Sequence, residues 1–288
     1  MSSSTTNSQQ WDQSFSHLTV QRPTEYVVHV QLNRPAKRNA LRTELWREIG
    51  RCFESLSGDK DCRAVVLSGA GKAFCAGIDL QSMLSAFQEH SQASDASRRG
   101  KATLELIRQF QRDFTAIEKC PKPVVVAIHG FCYGGALSLI TACDIRYCSQ
   151  DAVFTLKEVD LGLAADVGAL QRLPKVVGND SLLRELAYTA RNFGPDEALS
   201  LGLVSRVFPS QREAVTAALQ LASDMAIKSP VAVQGTKINL NYSRDHTVDE
   251  SLEYMAAWNA LHLQSEDLIN SVTAAATKSE EPPVFSKL

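Results

Sequence analysis

The sequence predicts an α/β protein whose sheet is covered on both faces, with a helical last quarter appended. Two short runs carry the α/β part. Residues 64–68 (AVVLS) and 124–128 (VVVAI) are almost wholly apolar, the pattern of strands that have no solvent face. Helical signals lie between the strand signals, the order that layers helices over a parallel sheet. The third observation is the chain beyond about Ser181, where the signals are almost all helical.

The elements follow in order. Residues 26–33 (YVVHVQLN) are β-rich and partly alternating, and Arg34-Pro35 turns the chain. Thr43 is placed to cap a helix running from Glu44 through Leu45, Ile49 and Phe53. The buried strand 64–68 is broken by Gly69-Ala70-Gly71, and the Ser-rich stretch 88–100 reads as a mobile surface loop. A long helix then carries Leu104, Ile107, Phe114 and Ile117 on one face until Pro121 and Pro123 end it. After strand 124–128, Gly134-Gly135 opens an apolar helix, and 144–148 and 153–156 read as short strands. Helices are expected over 182–190, Pro195–Leu201 with Gly202 as its stop, 211–227, 231–240 and 248–264. Amphipathic helices beyond a finished core commonly complete a subunit interface, so an oligomer is expected.

Composition narrows the function classes. In 288 residues, 30 Lys+Arg stand against 32 Asp+Glu, a net charge of −2 without the basic excess that nucleic acid or an anionic membrane would want. No apolar run approaches the ~20 residues that span a bilayer. Seven cysteines, an odd number with no CxxC, read as buried reduced thiols of an intracellular protein. The first 22 residues are polar, with no Lys or Arg before Arg22, so they read as a disordered leader and not as a secretory or transit signal. Ser286-Lys287-Leu288 at the other end is the peroxisomal address, read by an import receptor. Pro282-Pro283 is expected to keep it extended and accessible.

Three clusters could carry chemistry. Residues 71–80 (GKAFCAGIDL) and 129–136 (HGFCYGGA) each follow a buried strand, and the second opens a helix. Free N–H groups at such turns, approached closely through glycine, can hold a developing oxyanion, although a Gly-Gly turn is often only a tight turn. The third, 157–168 (KEVDLGLAADVG), sets Glu158 and Asp166 among Leu, Val, Ala and Gly. Such carboxylates are either loop-surface residues or desolvated acid/base groups, and the local sequence leaves both open. His129 is the tempting base, with a satisfied core histidine as its plainer reading. No nucleotide-binding glycine fingerprint and no metal-ligand spacing occurs, so no metal is expected.

Taken together, NRP…RNAL (33–41), AFCAGIDL (73–80), the Gly134-Gly135 turn, ACDIRY (142–147) and GPDEALSLGLV (194–204) resemble the enoyl-CoA hydratase/isomerase (crotonase) superfamily over about residues 26–272. Within it, 157–179 (KEVDLGLAADVGALQRLPKVVGN) resembles the dienoyl-CoA isomerases. The resemblance implies a crotonase-like spiral of ββα turns with a C-terminal helical trimerisation region, assembled as trimers or hexamers. It divides the chain into a leader (1–22), a catalytic spiral (23–227), a helical oligomerisation region (228–279) and a targeting tail (280–288). It implies an acyl-CoA substrate whose thioester oxygen is held by the N–H groups of Ile78 and Gly135. Ala76, Gly77, Ile78, Asp79 and Leu80 would line the acyl-CoA site, and Ala40 would lie at the adenine end, with Lys37 and Arg38 near the phosphates.

The resemblance also assigns the chemistry. Hydratases of this superfamily use two glutamates, one matching Glu158 and the other matching Ser138, and a serine cannot serve as acid or base at neutral pH. Asp166 stands where dienoyl isomerases carry an acid and hydratases a small residue. The implied reaction is conversion of a 3,5-dienoyl-CoA to the 2,4-dienoyl-CoA of fatty-acid β-oxidation, with Asp166 deprotonating C2 and Glu158 protonating C6. No metal or redox cofactor is needed, since coenzyme A belongs to the substrate. Ser138 departs from the dienoyl isomerases, which carry a third acid there. The alternatives are a Δ3-Δ2-enoyl-CoA isomerase relying on Glu158 alone, or a retired crotonase that only binds acyl-CoA.

Overall fold

The computed structural model describes residues 15–91, 95–279 and 281–288. Strands β1 (Leu18–Thr24) and β2 (Val27–Leu32) form an antiparallel hairpin. Strands β3 (Ala64–Gly69), β4 (Val124–Ile128), β6 (Ile145–Ser149) and β8 (Arg206–Phe208) then add in parallel, giving the order β1-β2-β3-β4-β6-β8. Strands β5 (Phe131–Tyr133) and β7 (Val153–Thr155) pair in a second, smaller parallel sheet. The helices are α1 (Thr43–Ser57), α2 (Leu80–Ser91), α3 (Ala96–Lys119), α4 (Gly135–Thr141), α5 (Ala169–Val176), α6 (Asp180–Thr189), α7 (Pro195–Leu201), α8 (Gln211–Ala226), α9 (Pro230–Asp245), α10 (Val248–His262) and α11 (Glu266–Thr277).

Every residue of β3 and β4 is buried, because both sheet faces are covered. One face meets the main core, which includes Leu45, Ile49 and Phe53 of α1 and Phe114 and Ile117 of α3. Against the other lies α8, whose Ala214, Ala218, Ala222 and Ala226 recur every fourth residue and let its backbone approach the strands closely. The bridges Leu41–Ile78 and Cys75–Cys132 extend the smaller sheet. Successive turns of chain therefore pass from a large-sheet strand to a small-sheet segment to a helix, the ββα spiral that the sequence implies.

Several expectations are corrected. Strand β1 begins at Leu18, so the leader expected over 1–22 is folded at its end, and residues 1–14 lie outside the described residues. Its polar alternation and Pro23 hid an edge strand, the one place in a sheet where proline costs little. The stretch 88–100, expected as a loop, is helix up to Ser91 and again from Ala96, with 92–94 outside the described residues. Thr43 is the first residue of α1 and not its cap, which is Arg42. Helix α5 escaped notice because Pro174 lies inside it. Leu104 is exposed, because the N-terminal half of α3 rises beyond the core. The tail is docked where a free one was expected: Phe285 is buried, Arg63 donates to its carbonyl at 2.7 Å, and Lys287 pairs with Asp61 at 2.5 Å. All seven cysteines are buried with free thiols.

Candidate active site

A cavity of about 420 Å³ opens between α1, α2, α3 and the two glycine turns. Trp46, Met83, Leu106, Ile107 and Phe110 make its apolar wall. Trp46 stacks on Phe110 with ring centroids 4.3 Å apart and donates its indole N–H to the Phe110 carbonyl at 3.2 Å, so the ring is fixed and its one donor satisfied.

Backbone pairing shapes the first turn. Cys75 N–H donates to the Phe131 carbonyl and Ala76 N–H to that of Arg38. Gly77 has φ +87, and a Cβ there would stand 2.7 Å from the Tyr133 carbonyl oxygen, so only glycine fits. Leu41 N–H donates to Gly77 at 2.7 Å and Asp79 N–H to Leu41 at 3.0 Å. This parallel bridge uses the residues either side of Ile78 and leaves the Ile78 N–H directed away from it. In the second turn Gly134, at φ +52, donates to the Thr155 carbonyl, and Gly135 begins α4 with an N–H that has no acceptor within the helix. Ala76, Gly77, Ile78, Leu80 and Gly135 all line the cavity.

Both singled-out carboxyls also line it. Glu158 is 9% exposed and begins a 3₁₀ turn (Glu158–Leu161). Its Oε1 lies 3.5 Å from where a Gly134 Cβ would be, against the glycine turn, and its Oε2 has no hydrogen-bond partner. The neighbouring cation, Lys157, pairs with Asp160 at 2.5 Å instead. Burial, and secondarily the charge of Asp166, pushes the Glu158 carboxyl above its ordinary range. Burial also raises Asp166, which is less buried. Glu158 therefore has the stronger grounds for holding a proton at rest. Asp166 borders a second, polar cavity as well, about 430 Å³, which Glu118, Arg172, Lys175 and Arg244 help to line.

Other expected residues lie elsewhere. Asp79 does not line the cavity; it accepts from Ser82 N–H at 3.3 Å, as a helix cap does, and pairs with Arg34 at 3.2 Å. Ala40, expected at the adenine end of the coenzyme and not along the acyl chain, does not line this cavity, and the Arg38 guanidinium lies over the Phe131 ring. His129 is buried, with Nε2 3.0 Å from the Gly71 carbonyl and its pKa lowered by burial, so it is a core histidine. Ser138 is fully buried and does not line the cavity. The sequence reading missed Trp46 and Phe110, whose aromatic rings in otherwise ordinary amphipathic helices were the available signal.

A spiral of ββα turns with two glycine turns beside one apolar cavity defines a class: the chain belongs to the enoyl-CoA hydratase/isomerase family, whose profile matches residues 22–280. Among its relatives, a Mus musculus protein named Δ(3,5)-Δ(2,4)-dienoyl-CoA isomerase, mitochondrial, is 56% identical over 96% of this chain and 85% of its own. An Arabidopsis thaliana protein named Δ(3,5)-Δ(2,4)-dienoyl-CoA isomerase, peroxisomal, is 47% identical over 91% and 93%. The crystal structure of an enoyl-CoA hydratase from Bacillus anthracis is similar at a TM-score of 0.82 and 26% identity, covering 94% of this chain and 99% of that one.

Proposed function

We propose that this chain is a Δ3,5-Δ2,4-dienoyl-CoA isomerase. The observation that carries the reading is the presence of two carboxyls, Glu158 and Asp166, in the wall of one apolar cavity, both pushed above their ordinary range by burial. A single-glutamate isomerase would have no use for the second.

The thioester oxygen accepts from the N–H groups of Ile78 and Gly135, which stabilises the enolate that forms when C2 loses its proton. Asp166, as carboxylate, takes that proton. The electron pair shifts the double bonds from C3=C4 and C5=C6 to C2=C3 and C4=C5, and Glu158 delivers its proton to C6. The reaction is redox-neutral and moves one proton, so the two carboxyls suffice, with coenzyme A carried by the substrate. Each turnover leaves Asp166 protonated and Glu158 ionised. Before the next cycle Asp166 must release that proton to water and Glu158 must take one up from water, and the polar cavity that Asp166 borders offers the first of these transfers a path.

The decisive experiment is a spectroscopic assay of purified protein on a 3,5-dienoyl-CoA, which should yield the conjugated 2,4-dienoyl product. No conversion of that substrate beside brisk conversion of a 3-enoyl-CoA would overturn the reading.

The relatives' names point to two compartments, mitochondrial for the mouse protein and peroxisomal for the plant one. We assign this chain to the peroxisomal matrix on Ser286-Lys287-Leu288, with the import receptor as its partner. The exposed apolar residues of α10 and α11 support assembly as a trimer or hexamer.

A further inference from the structure

We propose that Ser138 is a positioning residue for Asp166, an inference that rests on Asp166 being the base. Ser138 lies within α4, has no exposed surface and does not line the substrate cavity, so it touches no substrate. Its Oγ accepts a hydrogen bond from the Ala169 N–H at 3.1 Å. Ala169 is the first residue of α5, and its N–H is one of those a helix start leaves without an internal partner. The cap residue, Gly168, has no side chain to supply an acceptor. Ser138 does so from another helix.

The segment that this bond closes begins at Asp166. Gln111 Nε2, on α3, donates to the Asp166 carbonyl at 2.7 Å, and Ser138 holds the chain three residues further on. Between the two anchors stands Gly168 at φ +126, the link with the least conformational preference of its own. The Gly168 carbonyl accepts from the Arg172 N–H at 3.0 Å and Val167 packs in the core, but neither contact ties the start of α5 to α4. Without the second anchor, the direction in which the Asp166 carboxyl leaves the backbone is therefore held less tightly relative to Gly135.

Helix α4 thereby sets two distances together. Its first residue, Gly135, borders the cavity and presents its N–H there; Ser138, nearly one turn on, fixes the segment of the base. A misplacement of about 1 Å between such groups costs on the order of 10²-fold in rate. The hydroxyl provides the acceptor as a neutral group, adding no charge to the buried start of α5. The position where an acid was anticipated thus anchors the base through the backbone.

The test uses the full-length enzyme with Ser138→Ala, Ser138→Cys, which has the same shape but a poor acceptor, and Asp166→Asn. Turnover of a 3,5-dienoyl-CoA is measured across pH, alongside thermal unfolding. Both Ser138 variants should lose about tenfold in kcat with KM within about twofold, short of the ~10² that a full 1 Å displacement costs. Their acid limb should move down toward the ordinary aspartate range as a loosened Asp166 gains water. Unchanged kcat and acid limb in either folded variant, with or without a lower melting temperature, would overturn the proposal, as would a rise in KM alone. Turnover by Asp166→Asn overturns the base assignment and the proposal with it. Normal Ser138→Ala kinetics beside an inactive Asp166→Asn overturns the proposal alone.

Discussion

Glu158 is more useful to the reaction than to the fold. Its carboxyl lies in an apolar wall with one oxygen unpartnered, so burial favours the neutral form. A folded-state pKa above the unfolded one means that the stability contribution is fully present at low pH and is lost as pH rises through the folded pKa. Glu158→Gln should therefore melt higher than the native chain at pH 8 and the same near pH 4, while turnover falls by about 10²–10⁴-fold for loss of a general acid. Calorimetry at the two pH values, with the isomerase assay, checks both; equal melting temperatures at pH 8 would refute the stability argument. Activity also needs Asp166 ionised and Glu158 protonated. The bell of kcat/KM should thus lose its acid limb above the ordinary aspartate range and its alkaline limb above the ordinary glutamate range, and a flat profile from pH 5 to 9 would count against the pair. Both carboxyls were visible in the sequence as acids in an apolar run, but the local pattern left their role open and only the family resemblance assigned it. The capping role of Asp79 was not legible, because a carboxylate before a helix caps it as readily as it meets a ligand. The bond of Ser138 was not legible, since its partner lies 31 residues away and no local pattern encodes it.

Between elements, buried charge does the tying. Lys237 on α9 pairs with Asp144 at 2.8 Å and donates to the Lys122 carbonyl at 3.0 Å, and Asp144 accepts from Val124 N–H at the start of β4. Glu118 near the end of α3 holds Arg172 of α5 at 2.9 Å and also Arg244 of α9. These contacts seat α9 on the catalytic core. Lys237→Met leaves the half-buried Asp144 without its ammonium partner, and should cost ~1–3 kcal/mol of stability. Lys237→Met with Asp144→Asn should recover much of that, because the amide oxygen still accepts from Val124 while the unpaired charge is gone. A denaturant titration in which the double variant is no more stable than the single would show that the charge is not what matters. At this scale β3, β4 and α7 were readable because their patterns depend on local burial or on a Pro start and a Gly stop. Strand β1 and helices α2 and α5 were not. An edge strand is half polar, a helix that borders a cavity has a diluted apolar face, and Pro174 disguises the third.

At the scale of the whole molecule, exposed apolar side chains among the described residues gather where the chain is most helical. Trp258 of α10 packs over Gly235 of α9, whose Cβ, if present, would stand 2.7 Å from the indole nitrogen, and Tyr242 stacks on Tyr254 at 4.0 Å. One side of α10 is thus fixed on α9, yet no residue of α10 is buried. Leu252 is 64% exposed, Ile269 of α11 is 61% exposed, and Val248, Leu261 and Val272 are exposed with them. Isolated exposed leucines are ordinary, but a run of them along two consecutive helices is where an association surface is predicted. The copies of this chain should meet there, giving a trimer or hexamer by light scattering or sedimentation. Leu252→Lys with Ile269→Lys places two charges where association would desolvate them, each costing several kcal/mol. That variant should run as a single chain at micromolar concentration with its helical content unchanged. A wild-type chain that is already a single copy, or a variant that assembles as the wild type does, would place the interface elsewhere.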